Sequence, residues 1–312
     1  MEVLRPIKSS YCLLVFVIII CLLWYCSHNP DSGFYSIRIL KTTQPVQDSN
    51  NLVQVLRRAT MQDRTVILTI VDKSWASPGS ILDLFLESLH IGHGTTYLLN
   101  HLVIVALDTQ AFQYCKSIHP HCFHFDKIKP FKRLDRQTFD RVRNDVVHGV
   151  IKLAYNVIFT EADVMWLRNP IPNFIPNHQM TIACHPDMTT KMVLEDGGYF
   201  FMKSDDISME FFPTLNMVRV LYTNLQNLSL CQAIVEEKPP GASITFIDRE
   251  YYGGFCAATK DMSRVCTIRA NCCDSVESKI HDLKLVLDDW RNFTAGPERT
   301  NSLFRAPDKC KT

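Results

Sequence analysis

Three continuous apolar runs, separated by segments of helical period, limit this chain's folding choices most. They read TVILTIV (65–71), HLVIVAL (101–107) and NVIFT (156–160). Each has strand length and lacks the polar alternation of a sheet with one wet face, which predicts burial on both sides. Between them, Ile81–Leu89 reads as a helix entered through Ser77-Pro78-Gly79-Ser80. Gln137–Ala154 reads as an amphipathic helix. Its apolar line is Phe139, Val142, Val146, Val150 and Leu153, and its polar line is Arg141, Asp145, His148 and Lys152. Further helices are expected at 48–62, 206–222 and 278–290, and further strands at 180–184, 198–203 and 244–248. Buried strands alternating with helices predict an α/β architecture with a mostly parallel, doubly wound sheet. No fixed-period repeat is present.

Ligands of such sheets bind at the carboxyl ends of strands. Each of the three runs meets carboxylates there: Asp72, Asp108, and the pair Glu161/Asp163. One such acid is equally well a turn residue or a helix cap; acids at three strand ends predict one shared crevice. The sharpest segment is YNVIFTEADVMWLRNPIPNF (155–174). In extended chain, residues two apart share a face. Two hard oxygen donors so placed suit Mg²⁺ or Mn²⁺ carrying a diphosphate. No second cluster of His and Asp surrounds residue 163, which argues against a metal-dependent phosphoesterase. Lys+Arg 33 against Asp+Glu 32 gives a net charge of +1, a balance that excludes a nucleic-acid backbone binder. Seven Lys/Arg fall between Lys127 and Arg143. A solvated basic face is the first reading of them and a phosphate clamp the second. Trp75 suits either stacking on a nucleobase or core packing.

The amino end bears on compartment. Tyr11–Cys26 carries sixteen residues without a charge, preceded by Arg5 and Lys8. That is close to the shortest span of a bilayer core, and the basic flank predicts a cytosolic amino end with the rest lumenal. The expected layout is a tail at 1–10, a signal-anchor helix at 11–27, a stem at 28–47, a catalytic domain at 48–295 and a tail at 296–312. A cleaved signal peptide is the competing reading, although Trp24, Tyr25 and Cys26 are poor cleavage residues. Nine cysteines follow the apolar stretch, a density that suggests disulfides, and their odd number leaves at least one thiol outside them. Cys115/Cys122 bracket a short loop, and Cys256, Cys266, Cys272 and Cys273 group together. A zinc site in that group is the alternative, though the spacing is not that of paired C-x-x-C motifs. Asn227 and Asn292 lie in glycan acceptor sequons.

Six stretches carry a more specific signal: SPGSILDLFLES (77–88), NHLVIVALDTQAFQYCKSIHPHC (100–122), YNVIFTEADVMWLRNP (155–170), DGGYFFMKS (196–204), YYGGFC (251–256) and NCCDSVESKIHDLKLVLDDW (271–290). In number and order they resemble the plant nucleotide-diphospho-sugar transferase family, glycosyltransferase family 77. The resemblance implies a GT-A, Rossmann-like fold in a single-pass type II Golgi membrane protein with a lumenal catalytic domain. It implies transfer of a pentose or galactose from a UDP-sugar to a cell-wall glycan or glycoprotein, with retention at the anomeric carbon and Mn²⁺ or Mg²⁺ as cofactor.

Residue by residue, the family's DxD motif falls on Glu161-Ala162-Asp163. Asp163 is the expected metal ligand, with Glu161 beside it at the metal's outer sphere or the ribose and His281 as third ligand. The family's Asn-Gly-Gly-Phe segment falls on Asp196-Gly197-Gly198-Tyr199. Gly197 and Gly198 are expected to let backbone approach the donor sugar, Asp196 to bond its hydroxyls, and Asp72 and Asp108 to lie near the nucleoside. Glu161 stands where the family has Asp, and Asp196 where an amide is usual. The stretch 221–237 lacks the family's acidic motif. These departures motivate the alternative of a lumenal binding or scaffold protein with a catalytically decayed fold.

Overall fold

The computed structural model describes residues 51–126, 136–174, 178–184, 198–221, 230–236, 241–248, 250–256, 261–296 and 302–310, all within one unit, Asp48–Thr312. In chain order the elements are α1 (Leu52–Ala59), β1 (Thr65–Val71), α2 (Ile81–Ile91), β2 (Leu102–Ala106), α3 (Thr109–Ile118), β3 (Cys122–His124), α4 (Arg136–Lys152), β4 (Asn156–Thr160), β5 (Val164–Trp166), β6 (Met180–Ile182), β7 (Tyr199–Met202), α5 (Asp206–Leu221), α6 (Leu230–Glu236), β8 (Ile244–Phe246), β9 (Tyr252–Gly254), β10 (Thr267–Arg269) and α7 (Val276–Ala295).

A seven-stranded sheet runs β3-β2-β1-β4-β7-β6-β8. Its pairs are parallel except where β7 lies antiparallel between β4 and β6. The architecture is thus mixed α/β around a mostly parallel sheet. Strand alternation sorts the side chains. Ile67, Val71, Ile104 and Ile158 join one core with Phe85 and Leu89 of α2, Phe112 of α3 and Leu283, Leu287 and Trp290 of α7. Val66, Leu68, Ile70, Val103, Val105, Val157 and Phe159 join the opposite core with Leu56 of α1, Val142, Val146, Val147 and Val150 of α4 and Phe211 and Phe212 of α5. An apolar run without alternation therefore means two covered faces, as the sequence predicts.

A second sheet has the order β5-β10-β9. None of these short strands is visible as an apolar run, yet the sheet places the functional residues. β10 pairs antiparallel with β5 so that Arg269 stands opposite Val164, the residue after Asp163.

Disulfides link Cys115–Cys122, Cys184–Cys231, Cys256–Cys272 and Cys273–Cys310. Cys266 is a correction to the expected set: it is a free, buried thiol, accepting a 3.3 Å bond from Asn173 Nδ2. Its neighbours Cys272 and Cys273 are already bridged to Cys256 and Cys310. Residues 302–310 pack back on α7, where buried Asp282 accepts backbone N–H groups of Asp308, Lys309 and Cys310 at 3.1, 2.9 and 2.6 Å. Among the described residues no helix is long and apolar enough to cross a membrane. The expected anchor (11–27) and stem (28–47) lie outside the described residues, as do Asn227, Asp196 and Gly197.

Candidate functional site: a buried carboxylate pair behind cations

Strand β4 delivers its two acids into a tight turn rather than an extended chain. Glu161 N–H bonds the Gly198 carbonyl at 2.8 Å, and Val164 N–H bonds the Glu161 carbonyl at 3.1 Å. Glu161 and Asp163 are 1% and 0% exposed, so neither is directly wetted. Buried carboxylates need partners, and three cationic side chains supply them. Arg269 spans the pair, donating from Nη2 to Glu161 Oε2 and placing Nε 3.4 Å from Asp163 Oδ1. Arg136, at the start of α4, places Nη2 3.0 Å from Glu161 Oε1 and Nη1 3.3 Å from Oε2. Lys279, in the first turns of α7, donates from Nζ to Asp163 Oδ2. Asp140 extends the cluster, 3.3 Å from Arg136 Nε and 2.9 Å from Arg143 Nη1.

Solvent reaches two of the three cations and neither acid. The side chains of Arg136 and Lys279 are 42% and 18% exposed, whereas Arg269 is 3% exposed. Lys279 Nζ also lies 5.2 Å from the Trp75 ring centroid, which ties the loop after β1 to the cluster. Of the seven basic residues expected to form a solvated face, Arg143 is fully buried and Arg136 is bound to Glu161. Lys127, Lys129, Lys132 and Arg133 lie outside the described residues.

Gly198 also makes room for a neighbouring side chain. A Cβ built there would sit 2.7 Å from Arg269 Cζ and Nη1 and 2.8 Å from Nη2. The missing side chain is the space that Arg269 fills on its way to Glu161. On its Cβ side the glycine seats a guanidinium.

Asp72 and Asp108 leave neighbouring strands together, since Val71 pairs with Ala106. Both then serve as turn acceptors. Asp72 Oδ1 takes the Ser74 N–H at 2.9 Å, while Asp108 caps α3 through Ala111 N–H at 2.9 Å and takes Lys73 N–H at 2.7 Å. His281 is two residues past Lys279, about 200° around the helix. Its Nδ1 is 2.9 Å from Asp282 Oδ1 and its Nε2 3.7 Å from the Asp308 carboxylate. The expected set of Asp163, Glu161 and His281 is therefore not assembled: among the described residues no group of three His, Cys, Asp or Glu stands together as metal donors.

The donor set decides whether a divalent cation fits. Mg²⁺ and Mn²⁺ need carboxylate oxygens with open lone pairs. Here three of the four carboxylate oxygens of Glu161 and Asp163 accept hydrogen bonds from a guanidinium or ammonium, and the fourth, Asp163 Oδ1, has no hydrogen-bond partner among the described residues but lies 3.4 Å from Arg269 Nε. With three cations against the two acids, the cluster already carries a net positive charge, so a dication added beside it gains no net attraction. As arranged, these residues do not fit a divalent cation.

The sequence pointed to both acids but not to Arg269 or Lys279. One sits in a three-residue strand and the other in an ordinary helical turn, and nothing in TIRANCC (267–273) or VESKIHDLK (276–284) sets either apart.

The nucleotide-diphospho-sugar transferase family model matches residues 97–283. The uncharacterized Arabidopsis thaliana protein At4g15970 is 32% identical over 286 residues, covering 86% of this chain and 76% of that protein. A second, At1g28695, also from Arabidopsis thaliana, is 29% identical over 292 residues, covering 88% and 87%. The Arabidopsis thaliana beta-arabinofuranosyltransferase RAY1 is 24% identical over 185 residues, 53% of this chain and 32% of that protein. With the family model spanning β2 to β10, the charged cluster and the start of α7, the chain belongs to the nucleotide-diphospho-sugar transferase family.

Proposed function

We propose that this chain is a retaining glycosyltransferase of the GT-A kind, moving a pentose or galactose from a UDP-sugar to a hydroxyl of a cell-wall glycan or glycoprotein. One observation carries the reading: at the carboxyl end of β4, in a chain of this family, two buried carboxylates hold cations whose outer members, Lys279 and Arg136, meet solvent. A departing diphosphate gains negative charge as its bond to the sugar breaks, and fixed cations stabilise that charge. In the step proposed, the bond between the anomeric carbon and the diphosphate oxygen breaks and the acceptor oxygen bonds that carbon on the same face. The acceptor proton passes to the departing phosphate oxygen, leaving UDP and the glycosylated acceptor. The relation to a beta-arabinofuranosyltransferase supports a pentose donor.

A Golgi-lumenal, type II placement is part of the proposal. The apolar stretch Tyr11–Cys26, four disulfides and the exposed sequon residue Asn292 support it.

The test is a panel of UDP-sugars offered to the detergent-solubilised full chain with pentose- and galactose-accepting wall oligosaccharides, reading UDP release and labelled product. Turnover of a UDP-pentose or UDP-galactose is the expected result. Nucleotide binding without release from any donor favours the binding or scaffold alternative. Absence of nucleotide binding overturns the reading.

A further inference from the structure

We propose that side-chain cations take the place of a divalent cation in this chain, Arg269 by occupying the two buried acids and Lys279, with Arg136, by meeting the phosphates, so that the donor diphosphate binds without metal. The inference rests on the transferase reading above and adds to it the nature of the counter-charge.

Three observations carry it. Arg269 spans Glu161 and Asp163, the two acids of the expected metal motif, and is 3% exposed. Space for its guanidinium is provided by the chain itself, because any side chain at position 198 would collide with it. Lys279 then closes the remaining Asp163 oxygen and presents its ammonium toward Trp75 and solvent. The carboxylates thereby act as anchors that orient cations. Lys279 is the partly exposed member nearest Asp163, and Arg136 is its counterpart beside Glu161. A guanidinium and an ammonium both bind phosphate oxygens through charge-assisted hydrogen bonds.

The experiment is calorimetric titration of UDP into the full chain, in excess EDTA and in millimolar Mn²⁺, alongside electron paramagnetic resonance of Mn²⁺ mixed with the protein. We expect the dissociation constants to agree within about twofold and the free Mn²⁺ signal to be undiminished. Lys279→Met is expected to weaken UDP binding about 10- to 100-fold, the range of one charge-assisted hydrogen bond, and Lys279→Arg to restore most of it. UDP binding that requires Mn²⁺ overturns this inference and leaves the transferase reading standing. No UDP binding under either condition overturns both. Undiminished binding by a folded Lys279→Met removes Lys279 from the proposal and overturns it as stated. Should that variant not fold, the wild-type EDTA and resonance measurements decide.

Discussion

Gly198→Ala is a small change with a calculable consequence. The added carbon would stand 2.7 Å from Arg269 Cζ and Nη1. Ordinary contacts lie at about 3.5–4.0 Å, so the guanidinium must retreat by roughly 1 Å. A flexible side-chain end usually yields cheaply, but this one is 3% exposed and held by two buried carboxylates. Overpacking alone costs about 1–3 kcal/mol and a broken buried ion pair about 3–5 kcal/mol. A partial displacement falls between, at about 2–4 kcal/mol, or about 5–15 °C in Tm for a domain of this size. Urea unfolding at constant slope measures it. Because the cost arises from Arg269, a double-mutant cycle with Arg269→Met isolates it: in that background Gly198→Ala is expected to cost under about 0.5 kcal/mol. Strict additivity of the two substitutions, or an unchanged midpoint for Gly198→Ala alone, refutes the reasoning.

Three further outcomes follow from other parts of the molecule. Burial first, against the pull of its bond to the Leu99 carbonyl, lowers the His119 pKa to about 4. The unfolded ring titrates near 6.5, so stability is full above that pH and falls by about 3 kcal/mol as pH drops through 4; His119→Gln should flatten that part of a pH–stability profile. Asp282 is buried, which alone would raise its pKa, but bonds from the His281 ring and from the N–H groups of Cys310, Lys309 and Asp308 outweigh burial and lower it. Its contribution is complete above the unfolded value of about 3.9 and lost as pH falls through the lower folded value. Asp282→Asn should therefore be about 1–3 kcal/mol less stable than wild type at pH 7, with the gap narrowing in acid. Cys184–Cys231 closes a sequence separation of 47 residues, so replacing both by Ser is expected to remove about 4 kcal/mol, read as a lower urea midpoint.

Legibility in the sequence followed burial. TVILTIV, HLVIVAL and NVIFT announced β1, β2 and β4 because a strand covered on both faces must be apolar throughout. The period of Val142, Val146 and Val150 announced α4 in the same way. Strands β5, β9 and β10 have three residues each, too few for a period to register. Helix α3 passed unread although Asp108 caps it, because an acid after a strand serves a cap and a ligand site equally well. The two acids of EAD were legible as a pair, but their state was not. The partners that neutralise them lie 25 positions earlier and 108 and 116 positions further along the chain.

By itself the sequence determined that this chain forms a doubly covered, largely parallel sheet, and that carboxylates leave the ends of β1, β2 and β4, since local hydrophobic pattern is enough to decide both. Only the tertiary structure decided what those carboxylates do: Asp72 and Asp108 shape turns, whereas Glu161 and Asp163 anchor cations. The reason is that charge pairing acts across space and burial, and β10 brings Arg269 to Asp163 through a strand register that no local pattern encodes.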